Sequence, residues 1–133
     1  MKDFNYYIES EQVKKQSSSP AEARSLRVQA RERFKHRVED ENVTKDNSTF
    51  LFEDAYEALR QHLQSFMAED GYKPYSHEAL IAYSEEKNYL TESEANKLDK
   101  YRKIRNDIRY RGETAQKDRA IEIIKLAEKI LFE

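Results

Sequence analysis

Arg102, Arg105, Asn106, Arg109 and Tyr110 fall in the segment RKIRNDIRYRGE, residues 102–113, and their types suit phosphate chemistry. Five of the first ten residues are Arg or Lys, and four of those five are arginine. A guanidinium is planar, permanently charged and carries a fork of donors that matches a phosphate. At about 100° per residue, Arg102, Asn106 and Arg109 share one helical face. Arg105 points between that face and the apolar stripe of Leu98, Tyr101 and Ile108, which predicts a half-buried guanidinium at a groove edge. Local helix energetics do not explain the cluster. The like-charged pair Arg105 and Arg109 costs a few tenths of a kcal/mol, and cations near a helix C-terminus gain about as much from its dipole. Two readings stay open: the arginines pair with acids on preceding helices, with Glu53, Asp54, Glu57 and Glu78 as candidates, or they hold phosphate.

The other chemistry-bearing residues are sparse. His77 opens the segment HEALIAYSEEK, where a histidine early in a helix caps or packs. His36 and His62 sit mid-helix, in exposed or interhelical positions. No combination of His and acids has metal-site spacing, and there are no cysteines for thiolate sites or disulfides. Neither a metal nor a cofactor is expected.

The elements that must position these residues are helical. Only two Gly and two Pro occur in 133 residues, too few for the turns of an all-β or α/β domain of this length. Apolar residues make up 38% and charged residues 38%, while nine Tyr and six Phe argue against disorder. The net charge of −2 gives no global pull toward nucleic acid or membrane, so any basic site must be local. No apolar run has membrane-spanning length. The N-terminal MKDFNYYIES has neither the apolar stretch of a signal peptide nor an Arg-rich transit pattern, and a cytoplasmic location is expected.

Along the chain, Phe4, Tyr6 and Tyr7 mark a short helix in an N-terminal arm, residues 1–18, that ends in three serines. Ser19-Pro20-Ala21-Glu22 is a capping box that starts a helix running to about Asp40. A second helix spans Ser48 to Asp70 on the stripe Phe52, Ala55, Tyr56, Leu59, Leu63, Phe66 and Met67, and Gly71 ends it. Residues 72–75 read as a loop. Ser76 caps a short helix that ends near Asn88. Thr91-Glu92-Ser93-Glu94 is a second capping box, opening a helix that Gly112 stops. The last helix runs from about Thr114 to the end on Ile121, Ile124, Ala127, Ile130 and Leu131. The predicted fold is all-α: one domain, 1–133, an antiparallel up-and-down four-helix bundle (19–133) with an extra short helix and the N-terminal arm. Phe50, Leu51 and Phe52 cannot all face one internal stripe, and a homodimer interface would bury the surplus.

Three segments carry a family likeness: FNYYIES…VKKQSSSPAEARSL, GYKPYSHEALIAYSEE and KYRKIRNDIRYRGE. In their order and spacing the chain resembles the HEPN domains, small helical bundles of which some bind nucleotides and others cleave RNA without metal. The family signature is an Arg, usually followed by a polar residue such as Asn, and a His a few residues on. The resemblance implies a homodimer whose cleft is built from this helix end, with Arg105 as the motif arginine and Asn106 as its polar neighbour. The histidine position falls on Tyr110, and no His follows Arg105. Tyrosine, with an ordinary pKa near 10, is a poor proton shuttle at neutral pH but can donate a hydrogen bond or stack on a base. The resemblance therefore implies a nucleotide- or RNA-binding module without catalytic residues, using Arg102, Arg105, Asn106, Arg109 and Tyr110. It also implies a minimal nucleotidyltransferase as partner. A metal-independent RNase toxin of a toxin–antitoxin pair and a ligand-free structural homodimer are the alternatives.

Overall fold

The computed structural model describes residues 1–133. The chain runs through α1 (Phe4–Glu9), β1 (Val13–Lys15), α2 (Pro20–Arg37), α3 (Ser48–Asp70), β2 (Tyr72–Pro74), α4 (His77–Glu86), α5 (Glu92–Arg111) and α6 (Lys117–Phe132). It is mostly helical, and no helix is long and apolar enough to cross a membrane.

Local chemistry sets the helix ends. Ser19 and Ser76 accept backbone N–H groups at the starts of α2 and α4, and Thr91 with Glu94 forms a full capping box on α5. At α2 the box expected from Glu22 is only half made, because the Ser19 N–H already donates to Ala68 O at 3.0 Å. α2 stops at Arg37, short of Asp40, and Val38 turns into the core.

Two predicted irregular segments are paired instead. β1 and β2 form a two-stranded antiparallel sheet with Val13 opposite Pro74 and Lys15 opposite Tyr72. Residues 72–75 are thus not a plain loop, and the N-terminal arm packs on the body through both its helix and this strand. Phe4 and Tyr7 of α1 are buried, and the Phe4 ring meets Tyr83 and Tyr72 edge-on at 5.1 and 5.5 Å. Strands of three residues are too short for a period-2 pattern to show.

Gly71 makes this junction. Its φ of 86° ends α3, and a Cβ there would stand 2.8 Å from the Gln16 carbonyl oxygen. Gly71→Ala is expected to lose about 1–3 kcal/mol, from left-handed strain and from displacement of β1. Chemical denaturation measures this, and an unchanged midpoint would contradict it.

α3 is the central element, packing on α2, α6, α4, α5 and β2. Its predicted stripe is buried, with Phe66 half-buried, and Leu51 turns inward while Phe50 stays 67% exposed. The α6 stripe is displaced from the predicted one: Ala120, Ile123, Ala127 and Leu131 face the core, and Ile121, Ile124 and Ile130 flank it. α6 also starts later than Thr114. Ala115 is held against the start of α3, its N–H donating to Thr49 Oγ1 and its carbonyl accepting from Ser48 Oγ. That brace keeps the residues before Lys117 out of the helix.

Candidate functional site

Between the first half of α3 and the C-terminal half of α5 lies a cleft of about 280 Å³, with Arg33 of α2 at its side. From α3 come Phe50, Glu53, Asp54, Tyr56 and Glu57; from α5 come Arg105 and Arg109. The neighbouring cations differ sharply in their partners. Arg33 Nη1 lies 3.4 Å from Asp54. Arg60 is forked onto Glu57. Burial raises the Glu57 carboxyl, but the Arg60 hydrogen bond and charge outweigh it and hold the group below its ordinary range.

Arg102 is spent within the fold. Its Nε donates to Asp99 at 2.9 Å, and its Nη2 lies 3.4 Å from Glu78, which also accepts the Tyr7 hydroxyl at 3.2 Å. Its side chain is only 14% exposed. Arg102 therefore ties α5 to α4 and α1 and does not line the cleft. The paired alternative weighed from the sequence holds for this arginine, with Glu78 among the acids foreseen.

Arg105 and Arg109 are different. Ion pairs on α5 join Arg102, Lys103 and Arg111 to acids, but no carboxylate lies within 4.0 Å of Arg105 or Arg109. Arg105 is half-buried, as its position on the helix predicted. Its Nη1 donates to Asn106 Oδ1 at 3.2 Å, and its guanidinium carbon lies 5.9 Å from the Tyr56 ring centre. Asn106 thus acts by holding Arg105. Tyr110 is 76% exposed and does not line the cleft. It sits on the outer surface beyond it, so the five predicted residues do not converge: two line the cleft, one holds Arg105, and two lie elsewhere.

No protein-family model matches the chain, and neither a curated protein nor a solved structure matches it. The cleft must be read from its own residues. Sequence reasoning missed Tyr56 and Phe50 as site residues. Tyr56 was hidden in the apolar stripe of α3. Phe50 left a usable signal, since one of three consecutive apolar residues had to face outward.

Behind Tyr56 stands His77, at the first position of α4. Tyr56 Oη and His77 Nδ1 are 2.8 Å apart, and the rings are nearly parallel, 25° between planes. Burial pushes the Tyr56 hydroxyl up, against the pull of Arg105. Burial also pushes His77 down to about 4, with Arg105 and Arg60 adding to the effect. At neutral pH this pair is uncharged, and Arg105 remains the cation over the ring. Arg105→Ala is expected to move His77 titration up toward its ordinary value, followed by the imidazole proton shifts in NMR. An unmoved titration would place Arg105 farther from His77 electrostatically than the packing implies.

No three His, Asp or Glu side chains converge on a point that could hold a metal ion. The cleft carries two unneutralised guanidiniums, an exposed aromatic ring and one acid, Glu53, with no ion-pair partner. Such a set can grip a phosphate and stack a base or sugar beside it.

Proposed function

We propose that the chain is a HEPN-like nucleotide- or RNA-binding module: an up-and-down helical bundle that pairs as a homodimer and holds phosphate on Arg105 and Arg109 without cutting the strand. One contrast supports the reading. Every other arginine at the cleft has a carboxylate partner, while these two have none and face an open concavity. Guanidiniums without a carboxylate, one half-buried at Arg105 and one exposed at Arg109, are poor structural ties and good anion ligands. The absence of catalysis follows from Tyr110, which stands where the family likeness puts its histidine and lies outside the cleft. A minimal nucleotidyltransferase as partner is proposed on that likeness alone.

A ribonuclease of a toxin–antitoxin pair is the second reading, and His77 is the observation in its favour. A neutral imidazole hydrogen-bonded to Tyr56 beneath Arg105 could accept a proton. Its depressed pKa makes it a weak base near pH 7, so this reading ranks second. A ligand-free structural homodimer accounts for Arg102 and leaves Arg105 and Arg109 unexplained.

The test is a metal-free titration of labelled oligouridylate, with the same mixtures run on a gel. Binding without cleavage, weakened tenfold or more by Arg105→Ala, is the expected result. Affinity that ignores Arg105→Ala would sink the proposal. Cleavage that vanishes in His77→Gln would replace it with the ribonuclease reading.

A further inference from the structure

α5 carries cations on two flanks, and the cleft uses only one of them. The other flank faces α6 across a groove of about 560 Å³. Lys97, Lys100, Arg119, Lys125 and Lys129 line it, with only two carboxylates, Glu94 and Glu122. Five cations against two acids leave a local charge of +3 in a chain whose net charge is −2.

Both acids are already occupied. Glu94 takes Lys129 Nζ at 3.0 Å and the Thr91 N–H at 2.9 Å. Glu122 takes Arg119 at 2.9 Å and the Tyr101 hydroxyl at 3.4 Å. Lys97, Lys100 and Lys125 are left with no carboxylate partner, on the two sides of one groove. Like charges gathered this way repel, and the one further acid on this surface, Glu92, leaves them in excess.

The shape narrows the ligand. A second concavity of about 610 Å³ on the first turns of α5 shares Thr91, Ser93, Lys97 and Lys100 with the groove and adds Asn96 and one acid, Glu92. Together the two carry the basic surface from the α5–α6 groove around the start of α5, an extended shape that suits a linear polyanion better than a compact one. The only apolar residues lining the groove are Tyr101 and Leu126, both buried, so it offers no seat for the side chains of an acidic peptide. A trough between two helices also keeps these lysines from lying flat on a lipid surface. Lysine is a point charge on a flexible stem, suited to following phosphates without fixing geometry.

We propose that the α5–α6 trough is a track for the phosphodiester backbone of a single-stranded nucleic acid, distinct from the Arg105 cleft and independent of it. Without an exposed aromatic to stack bases, it reads charge and not sequence.

The experiment titrates labelled oligouridylate and, in parallel, oligothymidylate over a range of KCl. The proteins are the native chain, Arg105→Ala, the triple variant Lys97→Gln, Lys100→Gln, Lys125→Gln, and the triple variant combined with Arg105→Ala. These lysines are exposed, so the triple variant is expected to keep its circular dichroism and melting. Each phosphate contact contributes about 0.7 to the slope of log K against log salt for a single strand. The triple variant is therefore expected to lose about 2 from the slope, in Arg105→Ala background as well as native. The strand type that shows the drop identifies the natural one. Equal slopes in native and triple variant on both strands would overturn the proposal. So would poly-glutamate that displaces the oligonucleotide at matched charge concentration, which would make the trough an acidic-polypeptide site.

Discussion

Arg105→Ala combined with Arg109→Ala is expected to weaken phosphate-ligand binding about 100-fold while changing stability by less than about 0.5 kcal/mol. The binding loss follows from two charge-assisted contacts, each worth about 1.5 kcal/mol at the low end, with every 1.4 kcal/mol worth about tenfold in affinity. The small stability change follows from the absence of internal partners: neither guanidinium satisfies a carboxylate that would be stranded. Arg102→Ala should behave oppositely. It would leave Glu78 without its cation and Asp99 with Lys103 alone, and about 1 kcal/mol of stability should go with it, while ligand affinity falls little. A titration and a denaturation curve on each variant make the comparison. Loss of stability in the double variant with affinity intact would reverse the assignment of roles on α5.

Acid should destabilise the fold well before its carboxylates protonate. His62 is 6% exposed, its ring edge-on to Phe66, and its Nδ1 has no hydrogen-bond partner. Burial lowers it to about 4 from an ordinary 6.5, with Arg31 and Arg27 of α2 adding repulsion. His77 is lowered to about 4 as well, in a more open setting. A group whose folded pKa is depressed contributes stability that is complete above the unfolded value and is lost as pH falls to the folded one. The window is therefore from about 6.5 down to 4. At about 1.4 kcal/mol per unit, His62 accounts for on the order of 3 kcal/mol, and His77 for less because solvent screens it. Denaturant midpoints across that range should fall steadily, and His62→Leu should flatten most of the fall. His62→Leu should also leave stability at neutral pH unharmed, since it removes an unpaired polar atom from the interior. A midpoint that stays constant down to pH 4.5 in the native chain would contradict the account.

The sequence made some of this legible and hid the rest for physical reasons. The span of α3, the glycines that close α3 and α5, and the caps at Ser76 and Thr91 were readable because each rests on a local rule. The β1–β2 pairing was not, since two three-residue strands announce themselves only through a partner distant in the chain. α6 was misplaced because four isoleucines and two leucines crowd its surface, and the braced Ala115 that delays its start depends on Ser48 and Thr49. At the cleft, helical geometry gave the half-burial of Arg105 but not the fate of Arg102. Whether an arginine is free depends on which acids the neighbouring helices bring to it, and α4 brought Glu78. His62 was read as exposed or interhelical, and the interhelical alternative holds: it is buried beside Arg27 and Arg31 of α2, because a helix as central as α3 has little outward face.

The small sheet has a kinetic meaning. β1 must find β2 across the whole of α2 and α3, so its closure entropy is large while its few hydrogen bonds return little. The helical hairpin of α2 and α3 can assemble from nearer contacts and should form the folding nucleus. The N-terminal segment would then zip onto a core already made. It should open first under native conditions, with the amides of residues 13–15 exchanging hydrogen by local opening while those in the middle of α3 wait for the whole molecule to unfold.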